Sequence, residues 1–316
     1  MASMKDVRAH KLILTAYRRC EFWKQRKQCT FCAFFTSGKT DPVLAESDAR
    51  EIVEAAIKEP GRFSELYFSG GSDSSGSIPF ENEVNRYIRI LQAVGQNFSG
   101  RFPCRLMAPA YPIELVRRIR QETGITSYSP NIELADRAMF ERRYPGKNEV
   151  VGYDEWINRT LKAADVFGAG HVYSQIVDGA ELVGEGALTV EQALETNLKL
   201  CEFFADHGVI LLNTIWRPHR ASRLGMTKMA PLEYYVQLAA WIGYAWNTIR
   251  SQYYLLEPKV IIVMIIIRTI SAVIFAALLT KLLADGLAKA GVLNAYALGQ
   301  EKSQPMDEDL SDASAN

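Results

Sequence analysis

Apolar residues along this chain follow two spacings in turn. Short runs at 11–17 (KLILTAY), 65–69 (ELYFS), 103–108, 125–129 (ITSYS), 170–177 (GHVYSQIV) and 209–215 (VILLNTI) read as buried strands. Between them, residues 43–59, 80–93, 111–122, 135–143, 153–166 and 188–206 place apolar side chains three and four apart, the period of a helix with one buried face. Gly124 closes the third of these helices. Six strands alternating with helices of this length predict an α/β fold, with βα units around a parallel sheet, up to about residue 216.

The pattern changes after that point. Residues 231–257 are aromatic-rich and predicted helical, and 260–284 form one apolar run, VIIVMIIIRTISAVIFAALLTKLLA. The run is long enough to cross a bilayer, but Arg268 lies inside it, and an arginine at that depth is costly. A buried strand followed by an apolar helix and a membrane-attached segment both remain open. The last sixteen residues are acidic and polar and predict disorder. The expected organisation is therefore 1–225 as the βα domain, 226–300 as a mostly helical, strongly apolar extension, and 301–316 as a tail.

At 316 residues and 48% hydrophobic, the chain has enough apolar material for one large core or two small ones. Lys plus Arg equals Asp plus Glu, at 36 each, which excludes a broad electrostatic footprint for nucleic acid. Five cysteines, an odd number in a large chain, do not read as a disulfide framework. The N-terminus lacks the apolar core of a signal peptide, so a reducing, cytoplasmic compartment is expected, with peripheral or anchored attachment to a membrane left open by 260–284.

Cys20, Cys29 and Cys32 lie within thirteen residues, in CEFWKQRKQCTFC. Three thiolates can hold three irons of a [4Fe–4S] cluster and leave the fourth open to a small molecule. Lys24, Arg26 and Lys27 in the intervening loop would offset an anionic cluster. Other readings stand beside it. With His10 as fourth ligand the same thiols suit zinc, and a zinc or iron–sulfur site here could also belong to a non-enzymatic binding module associated with a membrane. Cys29 and Cys32 alone suit a redox pair. Cys104 falls in a predicted strand and Cys201 on a helical face, where packing is the simpler role; Cys104 is also weighed as a ligand of an auxiliary cluster.

With these residues in view, the chain resembles the radical S-adenosylmethionine (SAM) superfamily, and within it the biotin synthase and HydE-like branch, over about residues 10–225. The resemblance implies a partial (βα)6 TIM-like barrel, a [4Fe–4S] cluster on Cys20, Cys29 and Cys32, and reductive cleavage of SAM to a 5′-deoxyadenosyl radical. That radical would abstract hydrogen from a small-molecule biosynthetic intermediate, with flavodoxin or ferredoxin as electron donor. The first cysteine gap departs from the family, being eight residues where three are usual.

The same resemblance implies site residues at the ends of the strands. Phe31, between two of the cysteines, would lie beside the SAM adenine. Gly70, Gly71, Ser72 and Asp73, in FSGGSDSS, resemble the glycine-rich segment that meets the SAM amino group. Asn131 and Glu133, in YSPNIEL, match the segment near ribose and methionine. Arg143, or alternatively Lys147, would meet the SAM carboxylate. Ile176, Val177 and Gly179, in QIVDGAE, match the apolar segment along adenine. Arg217, His219 and Arg220, in NTIWRPHRASRLG, resemble a segment lining the substrate side. All follow predicted strands, at the end where barrel enzymes build their sites.

Overall fold

The computed structural model describes residues 7–8, 10–33, 43–59, 62–95 and 103–253. Strands β1 (Val7–Arg8), β2 (His10–Tyr17), β3 (Phe63–Gly70), β4 (Cys104–Ala108), β5 (Ser127–Pro130), β6 (Val172–Asp178) and β7 (Val209–Ile215) form one sheet in sequential order. β2 to β7 are all parallel, and β1 adds an antiparallel edge through Val7↔Leu12. The connections carry a short helical turn α1 (Glu21–Lys24), then α2 (Glu46–Ile57), α3 (Glu81–Val94), α4 (Ile113–Thr123), α5 (Arg137–Arg143), α6 (Pro145–Val150), α7 (Tyr153–Phe167), α8 (Val190–Asp206) and α9 (Leu232–Tyr253).

Pleating sorts each strand into two faces. In β2, Leu12, Leu14 and Ala16 are buried against the helices, while Lys11, Ile13 and Thr15 alternate onto the inner face. Register carries the alternation across the sheet. Leu66 pairs with Cys104 and Leu106 with Tyr128 in the helix-facing layer, and Tyr67 pairs with Arg105 on the inner one. Cys104 therefore belongs to the sheet–helix core, where it is almost fully buried, and faces away from the barrel interior. Cys201 is buried in the same core from α8.

The helices close this layer by their spacing. α3 buries Val84, Tyr87, Ile88 and Leu91, a repeat of three and four. α8 opens on a capping box in which Thr189 and Gln192 satisfy each other's backbone amides. α4 ends at Gly124, whose φ of +66° is the left-handed cap expected there.

The chain divides into two compact units, Met1–Leu256 and Glu257–Asn316. The first continues past residue 225 because α9 packs on α8 and β7, through buried Tyr234, Leu238 and Ile242. The apolar run 260–284 and the tail lie outside the described residues. No helix among the described residues is long and apolar enough to cross a membrane. Besides the short β1 and α1, one helix was not expected from periodicity: PGKNEV forms α6. Proline at the first helical position has no amide to lose, so a dipeptide that reads as a break here starts a helix.

Candidate active site

The cysteine segment leaves β2 and is held from its first residues by the glycine loop after β3. Gly71 N–H donates to Tyr17 O at 2.8 Å, and Glu21 N–H donates to Ser72 O at 2.9 Å. A Cβ on Gly71 would stand 1.9 Å from the Arg19 carbonyl oxygen, so the two backbones meet at a distance that only glycine allows. Cys20 precedes α1, and Cys32 N–H donates to Cys29 O at 3.1 Å, closing the second pair into a tight turn.

Distant segments strap the rest of the loop. Thr30 N–H donates to Arg143 O at 3.0 Å and Gly146 N–H to Lys27 O at 3.0 Å. Trp216 Nε1 donates to Phe31 O at 3.3 Å, Leu224 N–H to Thr30 O at 3.1 Å, and Arg223 to Arg26 O at 2.7 Å. The Phe31 ring packs on Tyr144 at 5.5 Å between centroids. Gly146 has the same reason for being glycine as Gly71, since a Cβ there would sit 2.3 Å from the Phe22 ring.

The three thiols face one another and one cation. Burial pushes Cys29 well above the ordinary thiol range; Lys147 works against that, and Cys32, Cys20 and Glu133 add to it. Cys20 is also raised by burial, while the amides of Ser72, Phe22 and Trp23 and the charge of Lys147 pull it back. Burial works against the ammonium of Lys147, but Cys29, Glu133, Cys20 and Cys32 together raise its pKa above the ordinary lysine value. The ammonium of Lys147 lies against aromatic faces, with Nζ 4.6 Å from the Tyr144 centroid and 5.1 Å from that of Trp156.

The types of group fit an anionic iron–sulfur cluster: three neighbouring thiols, backbone amides at one sulfur, and a half-buried lysine to balance them. A single zinc ion would need its ligands gathered within roughly 2.3 Å of one point. Among the described residues no three His, Cys, Asp or Glu stand as they would around a bound metal ion, so the three thiols would have to draw together on a zinc ion and on a cluster alike. Lys147→Met is expected to raise the thiol pKa values further. Iodoacetamide labelling of Cys20 in the metal-free protein, read by mass spectrometry near pH 8, should slow by about threefold or more.

Asn131 and Glu133 sit beside Lys147. Glu133 adopts φ +64°, a conformation costly for a side chain, and is held in it by β6: its N–H donates to Gln175 O at 2.7 Å and its O accepts from Val177 N–H at 2.8 Å. Burial pushes the Glu133 carboxyl up to about 7, against Lys147 and Asn131. Asn131 accepts from Ser129 Oγ at 2.7 Å and donates to Gln175 Oε1 at 3.1 Å.

These groups line the mouth of a cavity of about 330 Å³ that descends into the barrel. Gly70, Ser72, Asn131, Glu133 and Lys147 border it at the strand ends. Lys11, Ile13, Tyr67, Met107, Gln175 and Thr214 border it from the inner faces of the strands.

Other expected positions point elsewhere. Asp73 turns its carboxylate to Arg86 at 2.6 Å and to Ser75, bracing the loop instead of entering the cavity. The Arg143 guanidinium is taken by the carbonyls of Val183 and Glu185, and of the two basic residues it is Lys147 that borders the cavity. Ile176 falls on the helix-facing side of β6 by the pleat and, like Val177, serves Glu133 through backbone pairing. Gly179, at φ +91°, packs under Tyr235 of α9. Arg217, His219 and Arg220 are exposed and do not line the cavity.

Two residues that periodicity assigned to an ordinary helix hold the loop. Glu83 accepts from Asp73 N–H at 2.6 Å and from the Tyr111 hydroxyl at 2.6 Å, and the Arg86 guanidinium lies 4.1 Å from the Tyr17 ring centroid. Burial pushes Glu83 from 4.5 up to about 7, with Tyr111, the Asp73 amide and Arg86 opposing. A carboxyl whose pKa rises on folding stabilises the fold as the acid. The contribution is full below the unfolded value of 4.5 and is lost as pH rises through about 7. Glu83→Gln should remove on the order of 2–3 kcal/mol of that pH dependence, measured as a flatter fall of Tm with pH across this window.

No family model matches the chain, and no curated protein matches it by sequence. Solved structures do match. Methylornithine synthase (PylB) superposes with a TM-score of 0.54 at 12% identity, covering 75% of this chain and 63% of its own. HydG, a maturase of the [FeFe]-hydrogenase, gives 0.54 at 16% identity over 75% of this chain and 50% of its own. A radical SAM methyltransferase from Sphaerobacter thermophilus gives 0.52 at 15% identity over 74% and 63%. The fold is thus the TIM-like partial barrel of radical SAM enzymes, and this chain spans between half and just under two thirds of the length of those proteins.

Proposed function

We propose that this chain is a radical SAM enzyme, with a [4Fe–4S] cluster on Cys20, Cys29 and Cys32 and SAM at the mouth of the barrel. The observation that carries the reading is that all three thiols act electrostatically on the half-buried Lys147, with Cys20 held at the glycine loop by the Ser72 amide. A cluster held by Cys20, Cys29 and Cys32 would supply the one-electron reduction of SAM, with flavodoxin or ferredoxin as donor, that yields methionine and a 5′-deoxyadenosyl radical able to take a hydrogen atom from a substrate.

The protein's part is placement and shielding. The thiols ligate as thiolates, with Lys147 balancing their charge. Backbone carbonyls of the loop at Gly70 and Gly71 are the acceptors for an ammonium group, and the close approach enforced by Gly71 fixes that loop against Cys20. Lys147 is the cation for a carboxylate at the mouth, and Asn131 and Glu133 are the polar groups for a ribose or amino-acid portion. The barrel interior is the chamber for a small substrate.

The test is anaerobic. Reconstituted protein should carry about four irons per chain, and with dithionite and SAM it should form 5′-deoxyadenosine. Protein with the cluster confirmed intact that forms none above a cluster-free control would sink this reading.

A further inference from the structure

Helix α9 is apolar on two opposite sides. Tyr234, Leu238 and Ile242 are buried where it packs on α8 and β7. Away from them, Leu232, Val236, Ala239, Ala240 and Gly243 recur at intervals of three and four, and all are exposed. Leu232 is 71% and Val236 58% exposed, so these are not side chains folded back onto the protein. Between Leu232 and Gly243 only Glu233 and Gln237 are strongly polar. A helix this apolar all round is ordinarily covered on every side, and this one leaves a side open.

The loop that delivers α9 continues the surface and adds charge. Met226 and Met229 are exposed, and Lys228 stands exposed between them. Arg217 and Arg220, which do not line the barrel cavity, are exposed earlier in the same loop. None of the ion pairs among the described residues includes Arg217, Arg220 or Lys228. From His207 to Ala284 the chain holds eight Lys or Arg against two acidic residues, Glu233 and Glu257, although the chain as a whole is neutral. The positive excess therefore falls in the same stretch as the open apolar side chains.

We propose that this face, Leu232 and Val236 with Met226, Lys228 and Met229 before them, docks on an anionic lipid surface, with Arg217 and Arg220 as further headgroup contacts. Apolar side chains enter the boundary between headgroups and acyl chains, and the cations meet the lipid anions. Two observations select lipid. A second copy of the chain brings the same positive charge and not its complement. Seven residues beyond the end of α9 the sequence enters the apolar run 260–284, whose only charged residues are Arg268 and Lys281, so both stretches suit one lipid phase. Docking by α9 is along the surface: no helix among the described residues is long and apolar enough to cross a membrane. The face lies outside the cysteine site, and the proposal does not depend on the chemistry there.

The full-length chain is sedimented with vesicles of phosphatidylcholine alone and with vesicles in which about 30% of the lipid is phosphatidylserine. It is expected to bind the anionic vesicles at least about tenfold more tightly, with the difference shrinking as salt is raised to about 0.5 M. Arg217→Gln/Arg220→Gln/Lys228→Gln should abolish the preference for anionic vesicles, and Leu232→Glu/Val236→Glu should weaken binding to them by about tenfold or more. Both variants leave 260–284 intact, so binding carried by that run alone would leave them equal to the parent and overturn the proposal. Equal binding to the two kinds of vesicle, or binding to neither, would overturn it as well. A dimer in analytical ultracentrifugation that Leu232→Glu/Val236→Glu dissociates, with vesicle binding unchanged, would give the face to a second copy instead. Leu232→Gln/Val236→Gln replaces the glutamate pair if circular dichroism shows that variant unfolded.

Discussion

Cys29→Ala is expected to strip the protein of its cluster and to take 5′-deoxyadenosine formation below detection. Cys29 is one of the three thiols that share Lys147, and it anchors the turn that carries Cys32. Two thiolates cannot replace three, and the remaining cysteines are in the wrong place: Cys104 and Cys201 are buried on the helix side of the sheet. Iron per chain should fall from about four to background, while Tm measured on the metal-free proteins changes little. Cys104→Ala is the matching control. It should keep its iron and lose only about 1 kcal/mol of stability through the core. A Cys29→Ala protein that retains four irons would remove the basis of the proposed function.

Gly71→Ala should have an effect nearly as large for an apparently trivial methyl group. The new Cβ would meet the Arg19 carbonyl oxygen at 1.9 Å, its carbon at 2.4 Å and Cys20 Cα at 2.8 Å. All three are backbone atoms, so no rotamer change relieves the overlap. The loop must move, and with it the bonds from Gly71 to Tyr17 and from Glu21 to Ser72. We expect a loss of about 3 kcal/mol or more, read as a lowered Tm, together with failure to load iron. Gly243→Ala makes the contrast: nothing lies within 4 Å of its added Cβ, it sits within helix α9, and it should gain up to about 1 kcal/mol.

Much of the barrel was legible in the sequence because its six parallel strands alternate cleanly and are spaced by helices with one apolar stripe. The ends shifted by a few residues, as at Ser127–Pro130, where Ile125 and Thr126 precede the strand. PGKNEV hid its helix behind a proline and a glycine, residues that usually mark a break. At the site, the cysteines and the paired glycines stood out because few residue types can do their work. Lys147 and Arg143 were indistinguishable in one dimension. What separates them is that Gly146 presses on Phe22 and brings the next residue under the thiols, whereas the Val183–Glu185 carbonyls claim the arginine. Glu83 and Arg86 read as the solvated side of an amphipathic helix, yet Glu83 is 1% exposed. Lys11 read as one polar position in an apolar strand, and only the pleat shows that it looks into the barrel. Lone polar residues at inward-facing strand positions carry information that motif spacing does not.

The straps on the cysteine loop also set an order of events in time. Phe31 O waits for Trp216, 185 positions later, and Arg26 O for Arg223, 197 positions later. At roughly 5–20 residues per second of synthesis, the thiols emerge on the order of 10–40 s before the chain that cages them has been made. During that interval they stand outside any finished pocket, open to oxidation and to stray metals. On the proposed function, a newborn chain needs a reducing surrounding first and iron delivery second, with delivery productive only once residues beyond 224 have left the ribosome.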